Sequence, residues 1–368
     1  MSLEHLAIVK TDDLPIRHVG DVHNGKVRSV YWLNEEDSQR LIEERGYKVA
    51  PGTQLAVMVI SDRLSAFECI WQAEEELRGV PGKGAVLNVI SNYWFKEFDK
   101  AGLAGNHVLD VPHPLVWIVQ KAKPVLVEAI ARQYITGSMW RAYEKGEREF
   151  CGVQLPDGLK KNQRLDELMI TPSTKGIITG VPGIPEDDDV NVSRKQILDN
   201  YMAFMFRSPE DVDLYERLLR EGCRLAEEQL KGIGKLFVDT KFEFGYVKMP
   251  DGSFAMIYID EVLTPDSSRF WEAAPYEERG EVIEDSKEGF RQFLLTQSGI
   301  EPDILLNKKR MDARKAAAVY YSVPVEQFMA VSETYKAVAE KITGEKVPEI
   351  KDAKGEIVES LSGYGLVE

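Results

Sequence analysis

An α+β chain folded as two lobes, with helices at its C-terminal end, is the architecture expected from three features. The 368 residues exceed what a single hydrophobic core usually holds. The first third carries short β-prone runs, Val27 to Leu33 and Leu55 to Ile60, separated by turn residues. Farther on, a capped helix start at Ser208 leads into an aromatic hairpin between Lys235 and Trp271. The expected partition is a β-rich N-terminal lobe over residues 1–122, a mixed α/β lobe over 123–285, and a helical segment over 286–368 packed on both.

Each element has a local reason. Asn24-Gly25 is a turn between Arg17-Val19 and the strand from Val27, and Lys26 and Arg28 follow it at once. Backbone N–H groups of such a turn can face phosphate oxygens, with the two cations adding charge, although most Asn-Gly turns only connect strands. Gly82-Lys83-Gly84 opens a helix whose apolar residues Val86, Ile90, Tyr93 and Phe98 share a face; a glycine-lysine helix start favours anions, or is a plain junction. Leu115 to Val127 reads as two strands joined by a connector between lobes. Beyond it, Thr136-Gly137-Ser138 opens a short helix that Gly146 closes. Arg132 on the strand before it and Ser138 at its start can converge on a phosphate, the alternative being an ordinary cap with a surface arginine.

Gly176 to Asp189 holds glycine, proline and the acids Glu186 to Asp189, so it is expected to be a mobile loop. Ser208-Pro209-Glu210-Asp211 starts a helix through Leu214, Leu218, Leu225 and Leu230 to Gly232, because proline suits the first helical position and acids suit the first turn. Phe328, Val331, Tyr335, Val338 and Ile342 form a last amphipathic stripe, ended by Gly344 and read as packing.

The hairpin carries the chemistry. With Asp251-Gly252 as a two-residue loop, Pro250 faces Ser253 and the ladder sets Glu243 opposite Asp260. Alternation puts Asp239, Lys241 and Glu243 on one side and Val238, Phe242 and Phe244 on the other. Like charges directly opposite each other destabilise a sheet, and a divalent cation removes that penalty. Hard carboxylate oxygens suit Mg²⁺, which takes one or two of them and completes its shell with water and phosphates. A solvated polar face is the alternative; Asp266 and Arg269 nearby favour a site.

Composition narrows the function. A formal net charge of −15 without a basic stripe argues against nucleic acid as a partner. Cys69, Cys151 and Cys223 lack metal or disulfide spacing, which fits a reducing, cytoplasmic setting. No signal-like N-terminus is present, and the apolar runs are too short to cross a membrane. Five histidines form no evident catalytic constellation with serine or cysteine. Oligomeric state is left open, a homo-oligomer included.

Eight blocks in order, GKVRSVYWL from Gly25, SDRLSAFE from Ser61, PGKGAVLNVISNYWF from Pro81, EAIARQYITGSMWRAYEKG from Glu128, TPSTKG from Thr171, DTKFEFG from Asp239, DEVLTPDSSRFW from Asp260 and SETYKAVAEKITGE from Ser332, resemble the SAICAR synthetase family of purine biosynthesis. The resemblance implies a two-lobed α+β ATP-binding fold with nucleotide in the cleft. It implies a ligase that joins L-aspartate to the carboxylate of carboxyaminoimidazole ribonucleotide (CAIR), using ATP and Mg²⁺, through an acyl phosphate. Gly25, Lys26 and Arg28 would reach ATP phosphates, and the segment Lys121 to Glu128, with Lys123, would hold adenine largely by backbone groups. Glu243 and Asp260 would carry Mg²⁺. Arg132, Ser138 and Arg269 would grip the ribonucleotide, with Asp62, Arg63 and Ser65 in the same pocket, Lys175 nearby, and Asp239 and Lys241 close to the reacting carboxylate.

Departures from the family pattern are visible. The acidic loop reads Asp188-Asp189-Val190-Asn191 where many members have His-Asp-Glu, leaving Asp189 as the substrate-facing carboxylate. Glu68 stands where Asp is frequent, SKEGFRQFLL after Asp285 matches only loosely, and the chain is longer than compact members. Competing functions are a small-molecule kinase that stops after phosphoryl transfer, and a non-catalytic nucleotide-binding protein.

Overall fold

Two antiparallel sheets, joined by helices, carry the chain in a computed structural model that describes residues 2–368. Among these residues the first sheet has five strands in the order His23–Asn24, Arg28–Trp32, Leu55–Ile60, Val116–Gln120 and Val108–His113. Its middle strands are buried on both faces, which explains their near-continuous apolar runs. Asn24 pairs with Ser29, so the loop that closes the first pair is residues 25–28 rather than Asn24-Gly25, and the strand before it is His23–Asn24 rather than Arg17-Val19; the Gly25 N–H donates to the Arg28 carbonyl at 2.8 Å.

The second sheet is organised around the 14-residue strand Lys235–Lys248. Its first half lies between Val127–Tyr134 and Ser268–Glu272; its second half pairs with Phe254–Ile259 and Lys123–Pro124. The strand therefore changes neighbours in mid-course. Lys241 still pairs with Ile130, Glu243 already pairs with Ile259, and a register shift between Phe237 and Asp239 bends the ladder just before. Asp239, Lys241 and Glu243 sit at this exchange.

The hairpin exists, but its register differs from the expected one. Met249 donates to the Ser253 carbonyl at 2.8 Å, so the loop is Pro250-Asp251-Gly252, three residues rather than two. Glu243 consequently faces Ile259, not Asp260. The cause is local: Gly252 takes φ +87° and Asp251 accepts from the Ser253 N–H at 2.9 Å, the pattern of a turn closed by a left-handed glycine. A slip of one residue moves a side chain to the other face. Asp260 escapes that consequence by leaving the strand at φ +59°, its carbonyl 3.2 Å from His107 Nε2.

The helices follow their sequence signals. Lys83–Lys100 starts at Gly82, whose φ of +77° is left-handed. Pro209–Gly232 begins at the Ser208-Pro209 signal and Val325–Thr343 ends at left-handed Gly344. Phe98, Phe242, Phe244 and Tyr258 form the aromatic centre of a core shared by both sheets, with Phe98 and Tyr258 ring centroids 4.9 Å apart. Gly222 lets Pro209–Gly232 cross them closely, since a Cβ there would lie 3.0 Å from Phe242 and 3.2 Å from Phe98. Beyond residue 285, the helices Lys287–Thr296, Met311–Tyr320 and Val325–Thr343 close a second core over the hairpin Leu64–Ala66 and Cys69–Trp71, around Trp71, Phe290 and Phe328. The mixed α+β architecture with C-terminal helices is thus the observed one.

Glu284, beside the edge strand Ser268–Glu272, accepts from the Trp271 indole at 2.7 Å, and burial pushes its carboxyl up from 4.5 to about 7. An acid whose folded value is raised adds stability below its unfolded pKa and loses it as pH rises through the folded one. Calorimetry should therefore show Glu284→Gln losing less melting temperature than the parent between pH 4.5 and 8.

Candidate active site

The partner exchange opens onto a cleft of about 590 Å³ between the sheets, floored by the central strand and walled by Lys26, Glu128, Asp260 and the helix Lys287–Thr296. That volume suits small-molecule ligands.

At its centre Lys241 donates to Glu128 and Glu243 at 2.8 Å each, and Lys175 also donates to Glu243. Burial alone would lower the Lys241 pKa, but the charges of Glu243, Glu128 and Asp260 outweigh it and hold the ammonium well above its usual value. Glu243, only 5% exposed, is pushed up by burial and pulled down further by the two lysines, to about 2. Lys241 is therefore a fixed positive charge and not a proton acceptor.

One end of the cleft is cationic. Asp239 accepts from Arg132 at 3.2 Å and from Arg269, and Arg269 also reaches Glu288 at 3.1 Å. Burial opposes the Arg269 charge, but Asp239 and Glu288 overcome it and raise its pKa. Arg132 Nη2 lies 3.4 Å from the Ser138 hydroxyl, so strand and helix start do converge. Gly137, at φ +57°, is needed here because a Cβ would meet Arg269 Nη2 at 2.6 Å. Arg269 Nε is buried without a protein partner. A buried donor left unpaired is costly, and a ligand acceptor would satisfy it.

Lys26, Ser65, Glu128, Arg132, Ser138, Asp189, Asp239, Lys241, Asp260 and Arg269 all line the cleft. Glu243 and Lys175 do not line it: Glu243 is joined to the cleft through Lys241, and Lys175 pairs with Glu243. Arg28 lies deeper: it donates to Asn88 at 2.9 Å, pairs with Asp260 at 3.2 Å and Glu261 at 3.3 Å, and stacks over Trp117. Asp62 is 4% exposed and takes the backbone N–H groups of Gly84 at 2.8 Å and Ile8 at 3.0 Å, so it anchors the helix start. Arg63 donates to the Gly25 carbonyl at 3.1 Å and braces that turn from behind. Lys123 faces a separate hollow with Tyr246 and Phe254, while its backbone pairs with Tyr246.

Sequence reasoning passed over several residues on the walls. Lys287, Glu288 and Arg291 come from one helix face; the spacing of Lys287 and Arg291 was a readable signal. Below them Asp266 accepts from Tyr335 at 2.7 Å and pairs with Lys83 at 2.9 Å and Lys287 at 3.3 Å. The helix Val325–Thr343 therefore contributes to the cleft floor, through Tyr335, as well as to packing. Burial lowers the Lys287 pKa to about 8 despite Asp266.

A family model described as SAICAR synthetase matches residues 21–302. The chain belongs to the SAICAR synthetase family. It is 60% identical to the phosphoribosylaminoimidazole-succinocarboxamide synthase of Vibrio parahaemolyticus and 59% identical to that of Vibrio cholerae, covering all of both chains in each case. Among solved structures it is similar to the SAICAR synthase of Saccharomyces cerevisiae complexed with SAICAR, at 26% identity and TM-score 0.64, over 93% of this chain and 100% of that one. The Pyrococcus horikoshii SAICAR synthetase shares the fold at 20% identity and TM-score 0.52, over 80% of this chain and 96% of the other. Family membership makes this chain a ligase of purine biosynthesis. Among the described residues no helix is long and apolar enough to cross a membrane.

The donor chemistry near Lys241 fits a hard divalent cation, since Glu128, Glu243 and Asp260 supply only carboxylate oxygens there. The described residues hold no ready-made group of three or more metal-binding side chains. Mg²⁺ needs fewer, because phosphates and water complete its shell. Lys241 and Lys175 here carry the positive charge that such an ion would add.

Removing Lys241 leaves Glu243 compensated by Lys175 alone. Lys241→Met should lower unfolding free energy by roughly 3 kcal/mol in urea titrations, the scale for breaking a buried ion pair. Adding Glu243→Gln should recover part of the loss.

Proposed function

We propose that this chain joins L-aspartate to the carboxylate of CAIR with consumption of ATP, giving SAICAR, ADP and phosphate. The observation that carries this reading is the fixed ammonium of Lys241 set between three carboxylates, next to a cationic end with an unpaired Arg269 donor. Such a cleft suits two anionic reactants and a phosphoryl group.

A carboxylate is a poor acceptor for an amine because oxide would have to leave. In the first step a CAIR carboxylate oxygen forms a bond to the γ-phosphorus while the bond from that phosphorus to the bridging oxygen breaks, releasing ADP. In the second, the neutral aspartate amine attacks the acyl carbon, the acyl carbon–oxygen bond breaks, and the departing phosphate takes up the proton that the nitrogen loses. No side-chain nucleophile is needed, so positioning and charge neutralisation dominate.

Lys241 stays protonated throughout and offsets charge on the transferring group. Arg132, Ser138 and Arg269 hold the ribonucleotide phosphate, and Asp239 keeps the two guanidinium groups in place. Lys26 reaches toward the nucleotide phosphates, while Arg28 fixes Asp260 from below. Glu243 and Asp260 would hold Mg²⁺, which when bound neutralises phosphate charge. Backbone groups of the segment from Lys121 to Glu128 would hold adenine. A cytoplasmic site of action accords with a soluble set of small-molecule substrates and three unpaired cysteines.

In a coupled ADP-release assay, omission of aspartate, CAIR or Mg²⁺ should each abolish turnover; ADP formed without aspartate would mark a kinase instead. Glu243→Gln and Asp260→Asn should each cut kcat by about a hundredfold or more while circular dichroism stays unchanged, the scale for losing one preorganised electrostatic contact. Near-normal turnover at saturating Mg²⁺ would contradict the metal assignment. Arg269→Ala should raise the KM for CAIR roughly ten- to a hundredfold with little change for ATP, as loss of a charged hydrogen bond predicts.

A further inference from the structure

The family match ends at residue 302, yet the chain beyond it reaches the cleft. The helix Pro302–Leu306, the turn Lys308–Arg310 and the helix Met311–Tyr320 pack across the hairpin Leu64–Ala66 and Cys69–Trp71. Two cations from this segment hold the rim. Lys308 lines the cleft, 3.3 Å from the Asp189 carboxylate and 3.9 Å from Glu68, and donates to the Asp188 carbonyl at 3.2 Å. Arg314 is 2% exposed and donates to the carbonyls of Phe67 at 3.1 Å and Ile304 at 3.3 Å and to the Glu68 carboxylate at 3.0 Å.

The turn they hold is one its own residues disfavour. Ala66 pairs with Cys69, so Phe67-Glu68 is a two-residue hairpin loop, with φ +53° and +65°. That geometry ordinarily calls for Asn-Gly or Gly-Gly. Phenylalanine and glutamate there cost on the order of 1 kcal/mol or more each, and such strain persists only where surrounding structure imposes it. Asp189, across the rim, is also left-handed at φ +53°. Phe67, Glu68 and Asp189 all face the cleft.

We propose that Arg314 and Lys308 are positioning residues: they hold the strained Phe67-Glu68 turn and Asp189 so that two carboxylates at the cleft rim accept hydrogen bonds from the hydroxyl groups of the ribonucleotide. This rests on the ligase reading above. The ribonucleotide is the reactant concerned because Ser65 of the same hairpin, with Arg132 and Ser138 assigned to its phosphate, lines the cleft together with Glu68 and Asp189, and its sugar hydroxyls can donate to carboxylates; ATP, which also carries sugar hydroxyls, is told apart by separate KM values.

The test uses the full chain, with the product SAICAR as titrant in calorimetry and KM values measured separately for CAIR, aspartate and ATP. Lys308→Gln should weaken SAICAR binding about tenfold, the scale of one charged hydrogen-bond network, and raise the KM for CAIR while leaving the KM for ATP within about twofold. Arg314→Ala should weaken SAICAR at least as much, and Phe67→Gly added to it should restore part of the affinity, because glycine adopts positive φ without penalty. If Arg314→Ala fails to fold, Lys308→Gln and Glu68→Gln decide. Variants that bind SAICAR as the parent does overturn the inference, as does an equal loss of ATP affinity. A parent chain that binds no SAICAR overturns the ligase reading itself.

Discussion

The structure depends on one strand changing partners halfway along its length. Lys235–Lys248 leaves Val127–Tyr134 and Ser268–Glu272 for Phe254–Ile259 and Lys123–Pro124, and Lys241 and Glu243 fall on the exchange. Neighbouring strands diverge there, so charged side chains gain room that an unbroken ladder would deny them. Their cost is met by mutual compensation: Lys241 satisfies two carboxylates, and Glu243 is shared between two lysines. The same arrangement makes the site electrostatic in character, since a lysine held so firmly protonated can offset charge but not accept a proton.

The other constraint is burial of ionic groups around the cleft. Asp239 between two arginines, Asp266 between two lysines and a tyrosine, and Arg28 beneath Asp260 form compensated units with little freedom to rearrange. Buried pairs of this kind add little net stability against an apolar replacement but are expensive to break singly. They instead hold donors in fixed positions before substrate arrives, which is the requirement when catalysis rests on placing charge. The C-terminal helices extend this framework from outside, through Tyr335 in the floor and Arg314 at the rim.

Much of the framework was legible locally. Ser208-Pro209, Gly82 and Gly344 mark helix ends because capping and left-handed backbone depend on the residues at hand. The convergence of Arg132 and Ser138 was also readable, being only six residues apart. The hairpin register was not. Pro250-Asp251-Gly252 supports either loop length, and the three-residue form prevails through the left-handed Gly252 and the Asp251 side chain. Nor could Asp62 be told from a pocket residue, because its partners Ile8 and Gly84 lie far off in the chain.

Local chemistry was enough for most element types, the capped helices, the acid–base row on one strand and, through ordered blocks, the family. Those follow from backbone preference and side-chain alternation, which act over a few residues. Long-range packing settled that Glu243 faces Ile259, that Arg28 is buried under Asp260, that Lys287 and Lys308 reach the cleft, and that Arg314 holds Glu68 at its rim. Those outcomes depend on pairings between distant segments, where packing and desolvation of charge outweigh any local signal.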